Sequence, residues 1–259
     1  MNKTSLYIIT LLLLSVTLLS SSGCSGKNTA AHTAKSGMYF DTVVTVDIYC
    51  QSAEKADELL NECMELCDKY EKLFNKNISS SDIARINSAG ARPVKVDHET
   101  VILLEEAMRY CSLSDGRFDI TINPVSELWD FHGDSTNVPD MSDLKEACRH
   151  VDHELISIDA DNETITLADP DASIDAGAAA KGYIADRIAE YLSDNAVTGA
   201  IINMGGDMRL LGTKSGNELF NIGINNPSSE GCIMSLYLSD MSVATSGTTV
   251  CSARSTSSS

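Results

Sequence analysis

Apolar residues recur along three stretches at the spacing of a helix. In the first they fall three and four positions apart, which predicts an amphipathic helix of about five turns. Its apolar stripe consists of Ala56, Leu59, Leu60, Cys63, Cys67, Tyr70 and Phe74. The same spacing predicts a second helix from Glu99 to Ser112 and an alanine-rich third from Gly177 to Ser193. A short helical turn is expected around Ile83 to Ile86.

Runs rich in β-branched residues predict strands between these helices. The longest run, from Tyr39 to Cys50, alternates as a strand does, and residues 155–158 and 164–167 have the pattern of a hairpin. Further strands are expected at 92–96, 199–203, 208–212, 220–224 and 233–238, and at 241–247 before a turn. Helices and strands are interspersed without strict βαβ repetition, which favours an α+β fold. We expect a single domain over residues 37–247, a mixed sheet with packed helices.

Both ends of the chain differ from this pattern. Residues 1–23 have the layout of a secretory signal, with an apolar run followed by small residues. The junction before Cys24 resembles the lipobox of bacterial lipoproteins, so we expect Cys24 to carry lipid and 24–36 to be a flexible tether. A plain cleaved signal and an uncleaved anchor are the alternatives, and all three place the domain outside the cytoplasm. Residues 248–259 form a Ser/Thr-rich tail that we expect to be disordered.

The charge balance narrows the possible partners. Asp and Glu number 37 against 19 Lys and Arg, a formal charge of −18. Such a surface does not suit a nucleic-acid backbone, which requires clustered basic residues. It would also be repelled by anionic lipid, so membrane attachment is expected through a lipid anchor. The sequence has no CxxC pair, and His150 and His153 lack further ligands nearby in the sequence, which favours surface histidines over a metal site.

Three glycine-containing segments are candidates for chemistry. The first, Ser114 to Pro124, predicts a helix exit through Gly116 into an extended segment. Its Arg117, Phe118 and Asp119 offer a cation, an aromatic ring and an acceptor, a set that suits a planar heterocycle. From the residues alone, a helix cap followed by an edge strand is the favoured interpretation.

The second segment, Ile174 to Tyr183, places small residues at a helix start, where free N–H groups attract phosphate. Lys181 can add a positive charge and Asp175 an acceptor, but tight packing of an alanine-rich helix explains the small residues equally well. In the third segment, Asn203 to Asp207, paired glycines follow a strand, and a turn is the usual meaning.

Six segments in order resemble those of the ApbE family, the FAD:protein FMN transferases. They are Phe40-Asp-Thr42, Ser81-Asp-Ile-Ala-Arg-Ile-Asn87, Ser114 to Pro124 with Leu128-Trp129, Ile174 to Tyr183, Asn203-x-Gly-Gly206 and Thr245-Ser-Gly247. The resemblance covers residues 37–247. It implies an enzyme at the outer face of the cell membrane that binds FAD and Mg²⁺. Members attach FMN by a phosphoester to a Thr or Ser of a partner and release AMP. Partners of this kind are subunits of membrane redox complexes and FMN-binding domains.

The resemblance also implies a set of site residues by motif. The expected FAD contacts are Phe40, Arg117, Phe118, Asp119, Asp175 and Lys181. Ala178 stands at the family's metal position, where only its backbone carbonyl can serve as a ligand. No catalytic residue is implied, and Asp175 is a candidate general base by position alone.

One departure from the family concerns the end of the sequence. Family members continue into a His-Ile-x-Asp-Pro-x-Thr-Gly segment and an Asp-x-x-x-Thr pair that supplies metal ligands, and the sequence has neither. We therefore expect a C-terminally incomplete domain with much lower activity than a full-length member. The alternatives are a non-catalytic FAD-binding lipoprotein and a structural lipoprotein without flavin.

Overall fold

The computed structural model describes residues 31–50, 52–129 and 138–245. The predicted signal peptide, Cys24, most of the predicted tether and the Ser/Thr tail lie outside these ranges. Within them, no helix has the length and apolar character needed to cross a membrane.

The described chain alternates between strands and helices, in agreement with the predicted α+β class. In order, the elements are β1 (Ala31–Tyr39), β2 (Thr42–Cys50), α1 (Ala53–Phe74), α2 (Asp82–Asn87), β3 (Val94–Lys95), α3 (His98–Leu113), α4 (Asn123–Ser126), α5 (Met141–Ala147), β4 (Ile156–Asp159), β5 (Thr164–Leu167), α6 (Gly177–Asp194), β6 (Gly199–Met204), β7 (Asp207–Gly212), β8 (Phe220–Asn225), β9 (Cys232–Leu238) and β10 (Ser242–Val243). Single 3₁₀ turns lie at Cys148–His150, His153–Leu155 and Ser215–Asn217. The three long helices correspond to α1, α3 and α6, as the apolar spacing predicts.

A five-stranded antiparallel sheet in the order β1-β2-β6-β7-β10 forms the centre of the fold. Val44, Val46 and Ile48 of β2 are fully buried on the face covered by α1 and α6, whereas Val43, which points to the opposite face, is 54% exposed. Burying one such aliphatic side chain contributes about 1.5–3 kcal/mol. The alternation of β2 therefore fixes which face of the sheet carries the helices.

The other face of this sheet is covered in part by the β8–β9 hairpin. Leu210 of β7 packs with Phe220 and Ile222 of β8 in a second apolar cluster. A separate three-stranded sheet in the order β3-β5-β4 includes the predicted hairpin of residues 155–167. The three-stranded sheet contacts α2 through β5.

The carboxyl-terminal part of the predicted tether and the strand from Tyr39 to Cys50 both differ from expectation. Residues 31–36 belong to β1, which pairs with β2 over its whole length. The chain reverses at Phe40 and Asp41, whose φ angles of 51° and 57° are left-handed. β1 is an edge strand with mostly exposed side chains, so it carries no hydrophobic alternation that could distinguish it from a tether.

Pro124 also has a different role from the one predicted. The sequence predicts that Pro124 ends the extended part of the Ser114–Pro124 segment. In the structure Pro124 lies in the first turn of α4, where its missing N–H costs no helical hydrogen bond. The extended segment before it reduces to a single parallel bridge between Ile122 and Ser173. The strand expected at 92–96 likewise shortens to Val94–Lys95.

Candidate functional site

The chain leading into α6 is held by the side chain of Asn87, the last residue of α2. Its Nδ2 donates to the Ile174 carbonyl at 2.9 Å, and its Oδ1 accepts from the Ile174 N–H at 2.7 Å. Ile174 itself is fully buried. One amide side chain thereby satisfies both polar groups of a buried backbone unit, which fixes the position of the residue that follows it, Asp175.

Asp175 connects three parts of the fold at the amino end of α6. Its N–H donates to the Ile120 carbonyl at 2.8 Å, and its Oδ1 accepts from the Gly177 N–H at 2.9 Å. Its Oδ2 lies 3.3 Å from the ammonium nitrogen of Lys76. The carboxylate thus sits at the positive end of the helix dipole and beside a cation.

Lys76 is a site residue that the sequence did not indicate. Its Nζ donates to Asn123 and, at 2.6 Å, to Oε1 of Glu127, in addition to its contact with Asp175. The side chain is only 21% exposed. Burial by itself would lower the pKa of Lys76, but the hydrogen bond to Glu127 and the charge of Asp175 outweigh it and raise that pKa. Lys76 therefore remains a cation in a largely enclosed position.

Lys76 and Asp175 line a cavity of about 440 Å³, which we call the lysine cavity. Lys181 contributes a second ammonium group, whose Nζ lies 3.2 Å from the Gly177 carbonyl oxygen. Phe40 and Trp129 add aromatic surface. Lys76 is already paired with Glu127 and Asp175, so the ammonium group of Lys181, beside the positive end of the α6 dipole, is the one placed to attract an anion that carries an aromatic group.

The turn after α3 positions the Arg117-Phe118-Asp119 segment. Asp115 and Gly116 adopt left-handed φ angles of 52° and 70°, and the Gly116 N–H donates to the Cys111 carbonyl at 3.0 Å. This geometry ends the helix in the way expected of a glycine exit. It directs the following residues towards α6.

Asp119 lines the loop beside the site, and its carboxylate accepts hydrogen bonds from Thr121 and His153. Oδ1 accepts from the N–H and hydroxyl of Thr121 at 2.8 and 2.6 Å. Oδ2 accepts from the N–H of His153 at 2.9 Å and lies 3.1 Å from its Nδ1. These bonds show that Asp119 holds the loop in shape. The sequence predicts a different role for it, as a hydrogen-bond acceptor for a planar heterocycle.

His153 and His150 are not the surface residues that their HxxH spacing indicated. The side chain of His153 is 16% exposed and paired with Asp119, and that of His150 is 24% exposed with its Nδ1 2.6 Å from Oδ2 of Asp169. The carboxylate partners come from distant parts of the sequence, so local spacing did not reveal them.

Two more cavities continue along α6 from the lysine cavity. The loop cavity, of about 530 Å³, is lined by Arg117, Phe118 and Asp119 and shares Asp175 and Lys181 with the lysine cavity. The apolar cavity, of about 440 Å³, shares Phe118 and Ala178 with the loop cavity. It is lined mainly by Leu103, Tyr110, Leu113, Ala179 and Tyr183. Shared lining residues place the three cavities side by side along the first turns of α6, and we call this row of cavities the depression.

The third glycine segment, Asn203 to Asp207, packs against the turn that carries Phe40. Gly205 and Gly206 form the turn between β6 and β7, with φ angles of 71° and 104°. A Cβ on Gly205 would lie 2.3 Å from Oγ1 of Thr42, in the segment next to Phe40. The glycine therefore allows the two turns to pack together, which agrees with the expectation of a turn.

The residues around Ala178 do not by themselves make a magnesium site. Ala178 lies in the first turn of α6, where it offers only a carbonyl oxygen that belongs to the helical hydrogen-bond ladder. The described residues contain two groups of three potential metal ligands, and neither includes Ala178. One group is Cys111, Asp119 and His153, and the other is His150, Asp169 and Asp171. Mg²⁺ prefers several oxygen ligands in octahedral geometry, which this position lacks.

The structure brings most of the predicted residues together. Phe40, Asp175 and Lys181 line one cavity, and Arg117, Phe118 and Asp119 line the adjoining one. The residues not foreseen are Lys76, Asn123 and Glu127, which lie in loops or a one-turn helix without any sequence pattern. The one available signal was that Lys76 is among the few basic residues of an acidic chain.

Comparisons with known proteins agree on one family. A model described as the ApbE family matches residues 40–254. A "FAD:protein FMN transferase" of Treponema pallidum is 30% identical over 241 residues, which cover 86% of this chain and 67% of the relative. Another of that name from Klebsiella pneumoniae is 34% identical over 197 residues, or 74% of this chain and 60% of the relative. The chain thus spans about 60–67% of the length of these relatives.

Solved structures agree on the fold. The crystal structure of the ApbE protein of Thermotoga maritima matches with a TM-score of 0.75 and 28% identity, over 84% of this chain and 71% of that one. The flavin transferase ApbE of Vibrio cholerae matches with a TM-score of 0.77 and 23% identity, over 89% of this chain and 74% of that one. The single α+β domain predicted from the sequence is confirmed by these matches.

Proposed function

Because the chain belongs to the ApbE family, we propose that it is an FAD:protein FMN transferase. The reaction joins the FMN phosphorus of FAD to a Thr or Ser hydroxyl oxygen of an acceptor protein and breaks the pyrophosphate P–O bond. AMP leaves, and the hydroxyl proton passes to the leaving phosphate or to water. The acceptors we propose are subunits of membrane redox complexes and FMN-binding domains outside the cytoplasm.

One structural observation carries the proposal. Three segments far apart in the sequence, at Phe40, at 117–119 and at 175–181, meet in one depression along the amino end of α6. The depression offers aromatic surface, the ammonium group of Lys181 and the positive end of the α6 dipole. An isoalloxazine ring linked to a diphosphate has the matching parts, namely a flat apolar ring and an anion.

We assign binding and orientation to the residues of the depression. The amino end of α6 and the ammonium group of Lys181 attract the diphosphate, since both present positive charge to it. Lys76 holds the Asp175 carboxylate in place, and Asp175 in turn binds the Gly177 N–H of the first turn of α6. Phe118 and Phe40 offer ring surface on either side of this point.

The remaining parts of the proposal rest on the family resemblance alone. Mg²⁺ would stabilise charge on the pyrophosphate, but the donors around Ala178 do not form its site, so no step is assigned to it. A lipid on Cys24 would hold the domain at the outer face of the cell membrane.

Equilibrium titration with FAD tests the binding part of the proposal. Asp175→Ala removes the carboxylate that organises the start of α6, and we expect it to raise the Kd for FAD at least about tenfold, or about 1.4 kcal/mol. Asp171→Ala is the matched control, because Asp171 is an exposed aspartate four positions earlier outside the three cavities. If both variants bind FAD as the native chain does, or if the native chain does not bind FAD, the assignment is wrong.

A further inference from the structure

Three potential metal ligands of mixed chemistry lie behind the loop cavity. Cys111 belongs to the last turn of α3, Asp119 to the loop that follows, and His153 to a 3₁₀ turn. One ligand atom from each lies within 4.8 Å of the other two. Cys111 is fully buried, and the side chains of Asp119 and His153 are 9% and 16% exposed. This cluster is therefore enclosed by the fold, unlike a group of surface carboxylates.

One pair within the cluster has nearly the spacing of a tetrahedral zinc site, and the Cys111 sulfur lies within 4.8 Å of both members. Nδ1 of His153 and Oδ2 of Asp119 lie 3.1 Å apart. Zinc–nitrogen and zinc–oxygen bonds of about 2.1 Å at the tetrahedral angle separate the two ligand atoms by about 3.4 Å. A widening of a few tenths of an ångström would therefore let a cation replace the shared proton. Oδ1 of Asp119 can keep both bonds from Thr121 while Oδ2 binds the metal.

The surroundings of His153 suit its use as a ligand through Nδ1. The other ring nitrogen, Nε2, lies 3.5 Å from Oγ of Ser112. Metal-binding histidines usually donate this second N–H to an oxygen, which holds the ring in orientation. Ser112 offers such an oxygen once His153 carries its proton on Nε2.

The ligand types select the class of metal. Thiolate, imidazole and carboxylate together are typical of Zn²⁺ and Co²⁺, whereas Mg²⁺ takes oxygen ligands. Burial raises the pKa of the Cys111 thiol, so metal binding must displace its proton to solvent. Three protein ligands leave a fourth position that water can occupy.

The other such group in the described chain does not have these properties. His150 and Asp169 already form a direct contact of 2.6 Å, and Asp171 is exposed. A hydrogen-bonded ion pair accounts for that arrangement, so His150 serves as a control.

We propose that Cys111, Asp119 and His153 bind one zinc-class divalent cation. The ion joins the end of α3, the Arg117–Asp119 loop and the 3₁₀ turn at His153–Leu155, and thus stiffens the wall of the loop cavity from behind. Its ligands do not include Ala178, and its test does not depend on the flavin chemistry.

Cobalt titration of the purified full chain tests the site, because a thiolate ligand gives Co²⁺ a near-ultraviolet charge-transfer band. We expect one equivalent of Co²⁺ to produce this band and one equivalent of Zn²⁺ to remove it. Cys111→Ser, which is nearly isosteric, should abolish the band. His153→Gln should weaken Zn²⁺ binding at least about tenfold in competition with a chromogenic chelator.

Cys148→Ser and His150→Gln are the matched controls and should leave the band and the Zn²⁺ affinity unchanged. Circular dichroism of each variant checks that it is folded. If His153→Gln is unfolded, the test rests on whether the native chain gives the Co²⁺ band and whether Cys111→Ser loses it. The proposal is overturned if the native chain gives no band, or if the band persists undiminished in folded Cys111→Ser.

Discussion

Replacement of Asn87 by alanine tests how the start of α6 is held. The change removes a donor and an acceptor that bind both backbone polar groups of Ile174 at 2.9 and 2.7 Å. Ile174 is fully buried, so water does not readily replace them. An unsatisfied buried group costs about 1–2 kcal/mol, and the two together lower the free energy of unfolding by about 2–4 kcal/mol.

Urea denaturation followed by circular dichroism measures this loss. For an m value of about 2 kcal/mol/M, the unfolding midpoint should fall by about 1–2 M. Asn87→Asp sets a carboxylate oxygen against the Ile174 carbonyl in place of the donor, so it should not restore the stability that alanine loses. Asn221→Ala, at an exposed position of β8, is the control and should change the free energy of unfolding by less than about 0.5 kcal/mol. A loss of that small size for Asn87→Ala would refute the reasoning.

Three further outcomes are expected. Lys76→Met should raise the Kd for FAD about tenfold, while Lys76→Arg should retain most of the affinity in the same titration; equal losses would contradict a role for the charge. The hydrogen bond between His150 and Asp169 raises the pKa of His150 and lowers the pKa of Asp169. The pair therefore stabilises the fold in full between pH 3.8 and pH 6.5, the usual pKa values of an aspartate and a histidine. That stability is lost as pH rises through the raised His150 pKa, so His150→Gln should lower Tm more at about pH 5.5 than at about pH 8.5, and the reverse order would be incompatible with the pair. Burial raises the pKa of the Cys63 thiol to about 12, so iodoacetamide at neutral pH should modify exposed Cys148 and spare Cys63 in peptide mass maps, and equal labelling would show that Cys63 is accessible.

The sequence predicted the elements whose burial follows a regular period. The apolar stripe of α1 recurs every three or four residues because one face of the helix packs on the sheet, and β2 alternates because only one of its faces is covered. The reversal at Phe40 and Asp41 was missed, since neither residue is a glycine and the run of β-branched residues follows directly. β1 was missed because an edge strand with exposed side chains leaves no hydrophobic pattern.

The site was predictable only as separate segments. The resemblance assigned Phe40, Arg117, Asp175 and Lys181 to one ligand, but their convergence depends on the packing of α6 against the turns. Lys76 reaches Asp175 across 99 positions of sequence, with no motif of its own. In the same way, the partner of His153 is set by the loop after α3. Pairings between distant segments cannot be read from local spacing.

Transfer of FMN to an acceptor is the most direct test of the central claim. The purified chain is incubated with FAD, Mg²⁺ and an FMN-binding acceptor domain, and the acceptor is weighed by mass spectrometry while AMP is quantified. We predict that the acceptor gains the mass of FMN less one water, that AMP appears one for one, and that an acceptor with its target Thr replaced by Ala stays unlabelled. An unlabelled acceptor without AMP, in a reaction where the chain has bound FAD, would contradict the transferase and favour a protein that only binds FAD.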